Sequence, residues 1–250
     1  MLILLPPSET KRAGGEGAPW DASRLALREL TPIRESVVDA LVRLSDDPDA
    51  AAKVLKLGPK QRGEIEVNRA LRTSPTMPAI DRYTGVLFDA LDAASLDASA
   101  RRWLGAHVLI HSAPFGPVGA LDPIPSYRLG AGMRLPGLTS QRSLWAEPVA
   151  AALDSSAGGF VLDLRSEAYV ALGTAPVGRS AYVRVLTRGP DGQTRALNHF
   201  NKSAKGRLTR ALAESGAVLS DAAHFGEWAS DAGFETERDG DVMTLIVPPR

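Results

Sequence analysis

Short apolar segments that alternate with stretches of helical periodicity are the feature that most constrains how this chain can fold. Residues 2–5, 107–111 and 160–164 have the length and composition of strands. Between the first two, residues 33–71 place apolar side chains on one face of successive helices. Strands and helices alternate without a regular βαβ rhythm. We therefore predict an α/β protein with a mixed, α+β-like sheet surrounded by helices.

The helical pattern is concentrated in residues 33–72. Near its centre, the segment Val54-Leu-Lys-Leu-Gly-Pro-Lys-Gln61 combines apolar residues with a Gly-Pro turn. We expect Gly58 to make the tight turn and Pro59 to start the next helix. The pattern predicts a helix–hairpin–helix insertion within a single domain that spans residues 1–250.

Three other segments carry local signals. Gly and Pro dominate residues 112–125, which predicts a loop across the surface. Residues 181–187 and 194–200 flank Gly189-Pro-Asp-Gly192 and are predicted to form a hairpin. On one strand, His107 and His111 would lie about 13 Å apart, too far to share a metal ion. We therefore predict neither a metal site nor a cofactor.

The composition excludes several classes of protein. The 250 residues include no cysteine, so disulfides, thiolate metal sites and cysteine nucleophiles are excluded. The apolar N-terminal run is five residues long and meets Pro6-Pro7, which indicates a strand rather than a signal peptide. No apolar run approaches the roughly 20 residues that span a bilayer. We expect a cytoplasmic protein that does not bind membranes.

The formal net charge of zero conceals a strong separation of charge. Residues 179–210 contain eight Lys or Arg and one acid, whereas residues 214–250 contain eight acids and two bases. The local field therefore matters more than the overall charge. An anionic partner is the obvious candidate for the basic segment.

The densest part of that segment lies on a predicted helix that starts near Asn201. Lys202 and Lys205 are three residues apart, as are Arg207 and Arg210, so each pair shares a helix face. Such side chains can neutralise successive phosphates beside a helix N-terminus. The alternative is a solvated basic face that pairs with the acidic C-terminal segment.

The remaining candidates come from other loops. Glu9 and Lys11 follow the first strand, at the end where α/β proteins bind ligands, although the loop lacks the spacing of a P-loop. The side chains that can converge with them on one pocket are Ser8, Tyr83, Tyr127, Arg128, Ser166 and Glu167. In the alternative interpretation, the first loop caps a helix, the tyrosines belong to the core and the arginine lies on the surface.

Five motifs occur in an order that resembles the YaaA peroxide-stress family, also called DUF328 or UPF0246. The resemblance covers essentially the whole chain. The motifs are Leu4-Leu-Pro-Pro-Ser-Glu-Thr-Lys11, Arg82-Tyr-Thr-Gly-Val86, Asp122-Pro-Ile-Pro-Ser-Tyr-Arg-Leu129, Leu162-Asp-Leu-Arg-Ser-Glu-Ala-Tyr169 and Lys202-Ser-Ala-Lys-Gly206.

The resemblance implies a YaaA-like fold with a helix–hairpin–helix insertion and a basic cleft. It also implies DNA binding and a role in limiting peroxide damage under iron stress. The family signature Lys-x-Ala-Lys/Arg-Gly falls on Lys202, Ala204, Lys205 and Gly206. The segment 111–120 departs from the family pattern because it lacks an arginine and a tyrosine, and Arg207 is an additional cation.

Two functions remain open at this point. The first is a cytoplasmic oxidative-stress protein that binds DNA without sequence preference, through phosphate contacts. Its contacts would come from Lys202, Lys205, Arg207, Arg210, Arg128 and Lys11. The second is an enzyme that acts on a nucleotide or another phosphorylated small molecule, with Glu9 or Glu167 as the general base. No residue is assigned a catalytic role.

Overall fold

A seven-strand path through an eight-stranded mixed sheet forms the centre of the computed structural model, which describes residues 1–188, 194–195 and 198–247. In spatial order the strands are β10-β11-β8-β7-β1-β4-β5, and β9 also pairs with β8. Their bounds are β1 Leu2–Leu5, β4 Val108–Ser112, β5 Gly116–Gly119, β7 Val161–Asp163, β8 Ser180–Arg188, β9 Thr194–Arg195, β10 Glu235–Asp239 and β11 Val242–Val247.

The inner strands are parallel and the outer ones are antiparallel. β1 lies between β4 and β7, with Leu4 opposite both Leu109 and Asp163. The parallel run continues through β8 to β11, while β5 and β10 run antiparallel to their neighbours. Residues 3–5 of β1 and all of β4 are buried, as expected for parallel strands that are covered on both faces. The predicted mixed α/β class is confirmed.

Helices surround this sheet. Their bounds are α1 Thr31–Leu44, α2 Pro48–Val54, α3 Glu64–Arg69, α4 Ala79–Arg82, α5 Val86–Leu91, α6 Ala98–His107, α7 Gln141–Ser156, α8 Glu167–Val170, α9 Asn198–Ser215 and α10 Ala222–Asp231. Asp side chains cap α2, α6 and α10 by accepting backbone N–H groups of the first turn.

The prediction of a surface loop at residues 112–125 is wrong, because this segment contains the buried strand β5. A small second sheet, β2-β3-β6, uses the end of the same segment: β2 is Gly17–Pro19, β3 Pro75–Pro78 and β6 Pro123–Ile124. The buried guanidinium of Arg34 donates to the carbonyl oxygens of Phe115 (2.8 Å) and Pro117 (3.0 Å). These bonds satisfy backbone groups that an exposed loop would have left to water.

Residues 33–72 are helical, as predicted, but the turn between helices differs from the expected one. Lys56, not Gly58, has the positive φ of 52° that ends α2, and Gly58 is extended at φ −72°. Pro59 starts a short 3-10 turn, and the amide of Gly58 donates to the Gln61 side chain at 3.1 Å. A helix–hairpin–helix function for this segment stays a prediction.

Two further boundaries differ from the sequence predictions. His107 is the last residue of α6 rather than part of a strand, and its Nδ1 lies 3.0 Å from the Met1 carbonyl oxygen. The strand predicted at residues 194–200 is wrong from Asn198 onwards, because α9 begins there. The turn predicted at residues 189–192 lies outside the described residues.

Within the described part of the chain, no helix has the length and apolar character needed to cross a bilayer.

Candidate functional site

The carboxyl ends of three neighbouring parallel strands meet at one edge of the sheet. β1 leads into the loop that carries Lys11, β4 ends at His111 and Ser112, and β7 leads into Arg165. Since adjacent parallel strands place their ends together, these segments are brought side by side by the pairing alone. Most of the predicted site residues lie at this edge.

Lys11 points into the protein from the first loop. Its ammonium nitrogen donates to the carbonyl oxygens of Ser8 (3.1 Å) and Glu9 (3.2 Å). It also lies 4.0 Å from the ring centroid of Tyr127, within the range of a cation–π contact. Burial, and then the charge of Arg128, lowers the pKa of Lys11 from 10.5 to about 7. A substantial fraction of this amine is therefore neutral near pH 7.

Two buried tyrosines support the lysine. The hydroxyls of Tyr83 and Tyr127 are 2.8 Å apart, and Tyr83 makes an isolated antiparallel bridge with Lys11. Burial raises the pKa of both phenols above their ordinary value, so both are neutral donors and acceptors. Phe115 packs edge-on against Tyr127 at 5.4 Å, which fixes the ring beneath the amine.

Arg128 is held from the helical segment 33–72. Its backbone N–H donates to Asn68 Oδ1 at 2.7 Å, and its carbonyl accepts from Asn68 Nδ2 at 2.9 Å. The guanidinium makes one long contact, 3.3 Å, to Glu9 Oε2, and its Nε is buried without a partner among the described residues. The sequence did not point to Asn68, because one asparagine in a helix has no recognisable signature.

A second buried polar group was also missed. Arg165 is fully buried and forms a two-pronged ion pair with Asp163, at 2.9 and 2.6 Å. Its Nη1 lies 3.0 Å from His111 Nδ1 and donates to the Gly173 carbonyl at 2.8 Å. The only available hint was the Asp-Leu-Arg spacing within the fourth motif.

The contact with Arg165 determines the protonation of His111. A guanidinium only donates hydrogen bonds, so His111 Nδ1 accepts and the ring proton resides on Nε2. Burial, followed by the charge of Arg165, holds the pKa of His111 well below 6.5. The Nε2 group has no partner among the described residues, and the ring lies 5.6 Å from that of Tyr169.

Lys205 reaches the same edge from α9. Its ammonium donates to the carbonyl oxygens of Leu164 (2.8 Å) and Arg165 (3.4 Å), and lies 5.6 Å from the Tyr182 ring centroid. Burial lowers its pKa to about 8, although Asp163 opposes the shift. The buried side chain of Lys205 thus links α9 to the segment that follows β7.

Gly206 brings α9 to this position. A Cβ at residue 206 would overlap the carbonyl oxygen of Leu87 and lie 3.0 Å from Ala90 Cβ, so α9 packs on α5 with no space for a side chain. Ala204 is also buried. The Ala-Lys-Gly part of the signature therefore places the helix and aims Lys205 inward.

The other cations of α9 have different surroundings. Lys202 and Arg207 are exposed, and Arg207 bonds to the Ser203 hydroxyl at 2.8 Å. Arg210 is engaged at the end of α5, where it donates to the carbonyls of Leu91 and Asp92 and pairs with Glu214. Two of the four phosphate ligands predicted on α9, Lys202 and Arg207, thus have solvent-facing side chains.

A cavity of about 230 Å³ opens beside Lys11. Three of the predicted site residues line it, namely Glu9, Lys11 and Tyr127, together with Glu64 and Ser126.

The other pocket candidates are not part of the lining of this cavity. Ser8 is half-buried in the first loop, and its hydroxyl bonds to Thr10 at 3.2 Å. Ser166 and Glu167 are exposed at the start of α8, where the Ser166 side chain makes no capping bond. A larger cavity, about 550 Å³, is lined by a different set that includes Asp81 and Arg101.

The described residues include no group of three His, Asp or Glu side chains arranged to hold a metal ion. The polar groups at this edge include the amines of Lys11 and Lys205, the guanidinium groups of Arg128 and Arg165, and the phenols of Tyr83 and Tyr127.

Sequence comparisons identify relatives over nearly the full chain. The family model described as peroxide stress protein YaaA matches residues 1–239. A UPF0246 protein of Streptomyces coelicolor is 44% identical over 245 residues, covering 96% of this chain and 93% of the relative. One of Corynebacterium glutamicum is 43% identical over 254 residues, covering 99% and 100%.

A more distant match, an uncharacterized protein of Campylobacter jejuni, is 26% identical over 217 residues, covering 86% of this chain and 85% of the relative. The agreement over the whole length matches the order of the five motifs noted in the sequence. On this evidence of sequence, the chain belongs to the YaaA peroxide stress protein family.

Proposed function

We propose that this peroxide-stress family member binds the phosphate backbone of DNA without sequence preference and limits iron-dependent peroxide damage to it. The observation that carries the proposal is the pair of exposed cations on α9, Lys202 and Arg207. They belong to the most basic segment of a chain whose net charge is zero. Cations in such a position attract polyanions and contribute little to the core.

The surroundings of these two side chains support the proposal. Within the described residues Lys202 has no acidic partner, and the neighbour of Arg207 is the neutral hydroxyl of Ser203. Arg210, by contrast, already pairs with Glu214, and Lys205 is buried. In this proposal Lys202 and Arg207 contact phosphate, whereas Lys205 and Arg210 hold the helix in place.

The helical segment 33–72 supplies the second contact surface in this proposal. Lys60 is exposed beside the turn at Gly58, where a helix–hairpin–helix would approach the backbone of DNA. Arg62, at the end of the same turn, forms an ion pair with Asp49 at 2.9 Å, and this partner partly neutralises its charge.

The salt dependence of DNA binding tests the assignment. Each lost phosphate contact reduces the slope of log K against log salt by about 0.9, so Lys202→Ala/Arg207→Ala should reduce it by about 2. The control, Arg24→Ala/Arg142→Ala, removes the same charge from exposed positions outside α9. Equal slopes for the two double variants would place the DNA contacts elsewhere.

Protection is tested separately, by nicking of supercoiled plasmid with ferrous iron and peroxide. Wild type should reduce strand breaks, and the Lys202→Ala/Arg207→Ala variant should protect less in proportion to its lost binding. Protection that is unchanged in a variant that no longer binds would contradict a mechanism through DNA contact.

A second function is favoured by a different observation. The cavity beside Lys11 has an aromatic wall at Tyr127, and Arg128 adjoins it through Glu9. Such a mixture of stacking, cationic and acidic groups suits a phosphorylated small molecule or nucleobase and a reaction upon it. Mass spectrometry of the ligands retained by the purified protein distinguishes the two functions. Retained nucleic acid would support DNA binding, and a retained nucleotide would support an enzyme that acts on a small molecule.

A further inference from the structure

We propose that Lys11 is a carbonyl-reactive amine, which forms a reversible imine with a small 2-oxo acid whose carboxylate is bound by Arg128. The proposal deepens the second, small-molecule function and rests on the same cavity. It is independent of DNA binding by α9.

The position of the amine is the first argument. Lys11 lines the 230 Å³ cavity, so a ligand bound there lies against its side chain. Its hydrogen-bond partners are two backbone carbonyls, and no carboxylate lies within ion-pair distance of it among the described residues. A lysine that is partly desolvated and near another cation is the usual form of an imine-forming residue. The lowered pKa, about 7, agrees with this arrangement.

The binding of a carboxylate is the second argument. Glu9 contacts both cationic residues, because its carbonyl accepts from Lys11 and its carboxylate accepts from Arg128. The Arg128 contact is long, 3.3 Å, and the buried Nε has no partner among the described residues. Donors of a planar guanidinium therefore remain for a second carboxylate, which they can bind in the geometry that arginine favours.

The volume of the cavity limits the size of the ligand. Since one water in the liquid occupies about 30 Å³, a cavity of about 230 Å³ accepts a molecule of a few carbon atoms. A compound with a carbonyl next to a carboxylate carries one group for Lys11, which lines the cavity, and one for Arg128, which adjoins the cavity through its contact with Glu9.

The chemical step is balanced without an added oxidant or reductant. The neutral Lys11 nitrogen attacks the carbonyl carbon, the carbonyl oxygen takes a proton, and the nitrogen loses one. Glu9 or Glu64, acting as a base, then takes the second proton from the nitrogen and passes it to the hydroxyl, which leaves as water and gives the C=N bond. Both carboxyl groups line the cavity. The net change is condensation with release of one water.

Lys205 supplies an internal comparison. Its amine also has two carbonyl partners and a lowered pKa, but its side chain is 9% exposed and lines neither of the two cavities described above. A reagent that selects only for a lowered pKa would modify both lysines. A reagent that must also reach the amine would modify only Lys11 of these two.

Reductive trapping tests the proposal. The full chain is incubated with pyruvate and cyanoborohydride at neutral pH, and adducts are located by peptide mass spectrometry. We expect one saturable reduced pyruvyl adduct at Lys11, and no adduct at that position in Lys11→Arg, which keeps the charge. Labelling spread over exposed lysines such as Lys53 and Lys60, without preference for Lys11, would overturn the proposal.

The role of Arg128 is tested with a second reagent. Arg128→Gln should reduce labelling by pyruvate about tenfold, because a charge-assisted bond is lost. Labelling by propanal, which has no carboxylate, should fall less, because there Arg128 acts only through the effect of its charge on the pKa of Lys11. Equal loss with both reagents, or no loss with pyruvate, overturns the assignment of the 2-oxo acid class. Because no DNA is present, these results do not depend on the α9 contacts.

Discussion

Lys11 and Lys205 place the same side chain against two backbone carbonyls at the same edge of the sheet, but in different surroundings. Lys11 extends from a loop and borders a cavity, whereas Lys205 extends from a helix and is enclosed by β7 and Tyr182. The local bonds alone do not distinguish a reactive amine from a structural one. What distinguishes the two amines is whether a ligand can reach them, and this depends on what packs around each lysine.

Gly206→Ala should have the largest effect, because it breaks the support of Lys205. The added methyl group would overlap the Leu87 carbonyl and force α9 away from α5, costing about 3 kcal/mol of unfolding free energy or more. The control is Gly226→Ala in α10, where the nearest atom is Met243 Cε at 3.8 Å. That change should stabilise by about 0.5 to 1 kcal/mol. Urea denaturation measures both, and similar effects would mean that α5 and α9 are not tightly packed.

Alanine substitution of each lysine compares the two directly. Lys205→Ala removes a buried aliphatic side chain and leaves two buried carbonyls unpaired. Removal of the buried charge offsets part of this cost, so we expect the free energy of unfolding to fall by about 3 kcal/mol. Lys11→Ala should cost about 1 kcal/mol, since water in the cavity can replace the amine. The exposed Lys202→Ala should change stability by less than about 0.5 kcal/mol. Equal losses at residues 11 and 205 would contradict the difference in enclosure.

The pH dependence of these losses gives a third comparison of the two lysines. A lysine pKa that is lowered by folding means that the unfolded chain binds more protons between the folded pKa and 10.5, so this contribution to stability rises with pH. The rise begins near pH 7 for Lys11 and near pH 8 for Lys205. The cost of each alanine substitution should therefore increase above those values. Urea midpoints across this range measure it, and a cost independent of pH would show that both amines titrate normally.

Some of the fold follows from local pattern. The residues of β1, β7 and β8 match the predicted segments within one or two residues, because their apolar pattern and bounding turns leave little choice. Residues 112–125 could not be predicted correctly in this way. Their Gly and Pro content is that of a surface loop, and they are buried because β4 pairs with them and Arg34, from another element, bonds their carbonyls.

The candidate site was predictable in its membership but not in its geometry. The motifs selected Lys11, Tyr83, Tyr127 and Arg128, and the structure brings these four together. Asn68 and the His111–Arg165–Asp163 group were not predicted, because Asn68 bonds to Arg128 and His111 to Arg165, and the two residues of each pair are distant in sequence. Hydrogen bonds between remote residues have no periodic signature along a chain.

By itself, the sequence determined the family, the strands and helices with clear periodicity, and the concentration of positive charge before residue 210. Only the tertiary structure decided which of those charges face solvent. Lys202 and Lys205 are three residues apart on one helix, yet one is exposed and the other is buried. The physical reason is the close approach of α5 to α9 at Gly206, together with the bond from Lys205 to the Leu164 carbonyl, which enclose one side of the helix and leave the other to water.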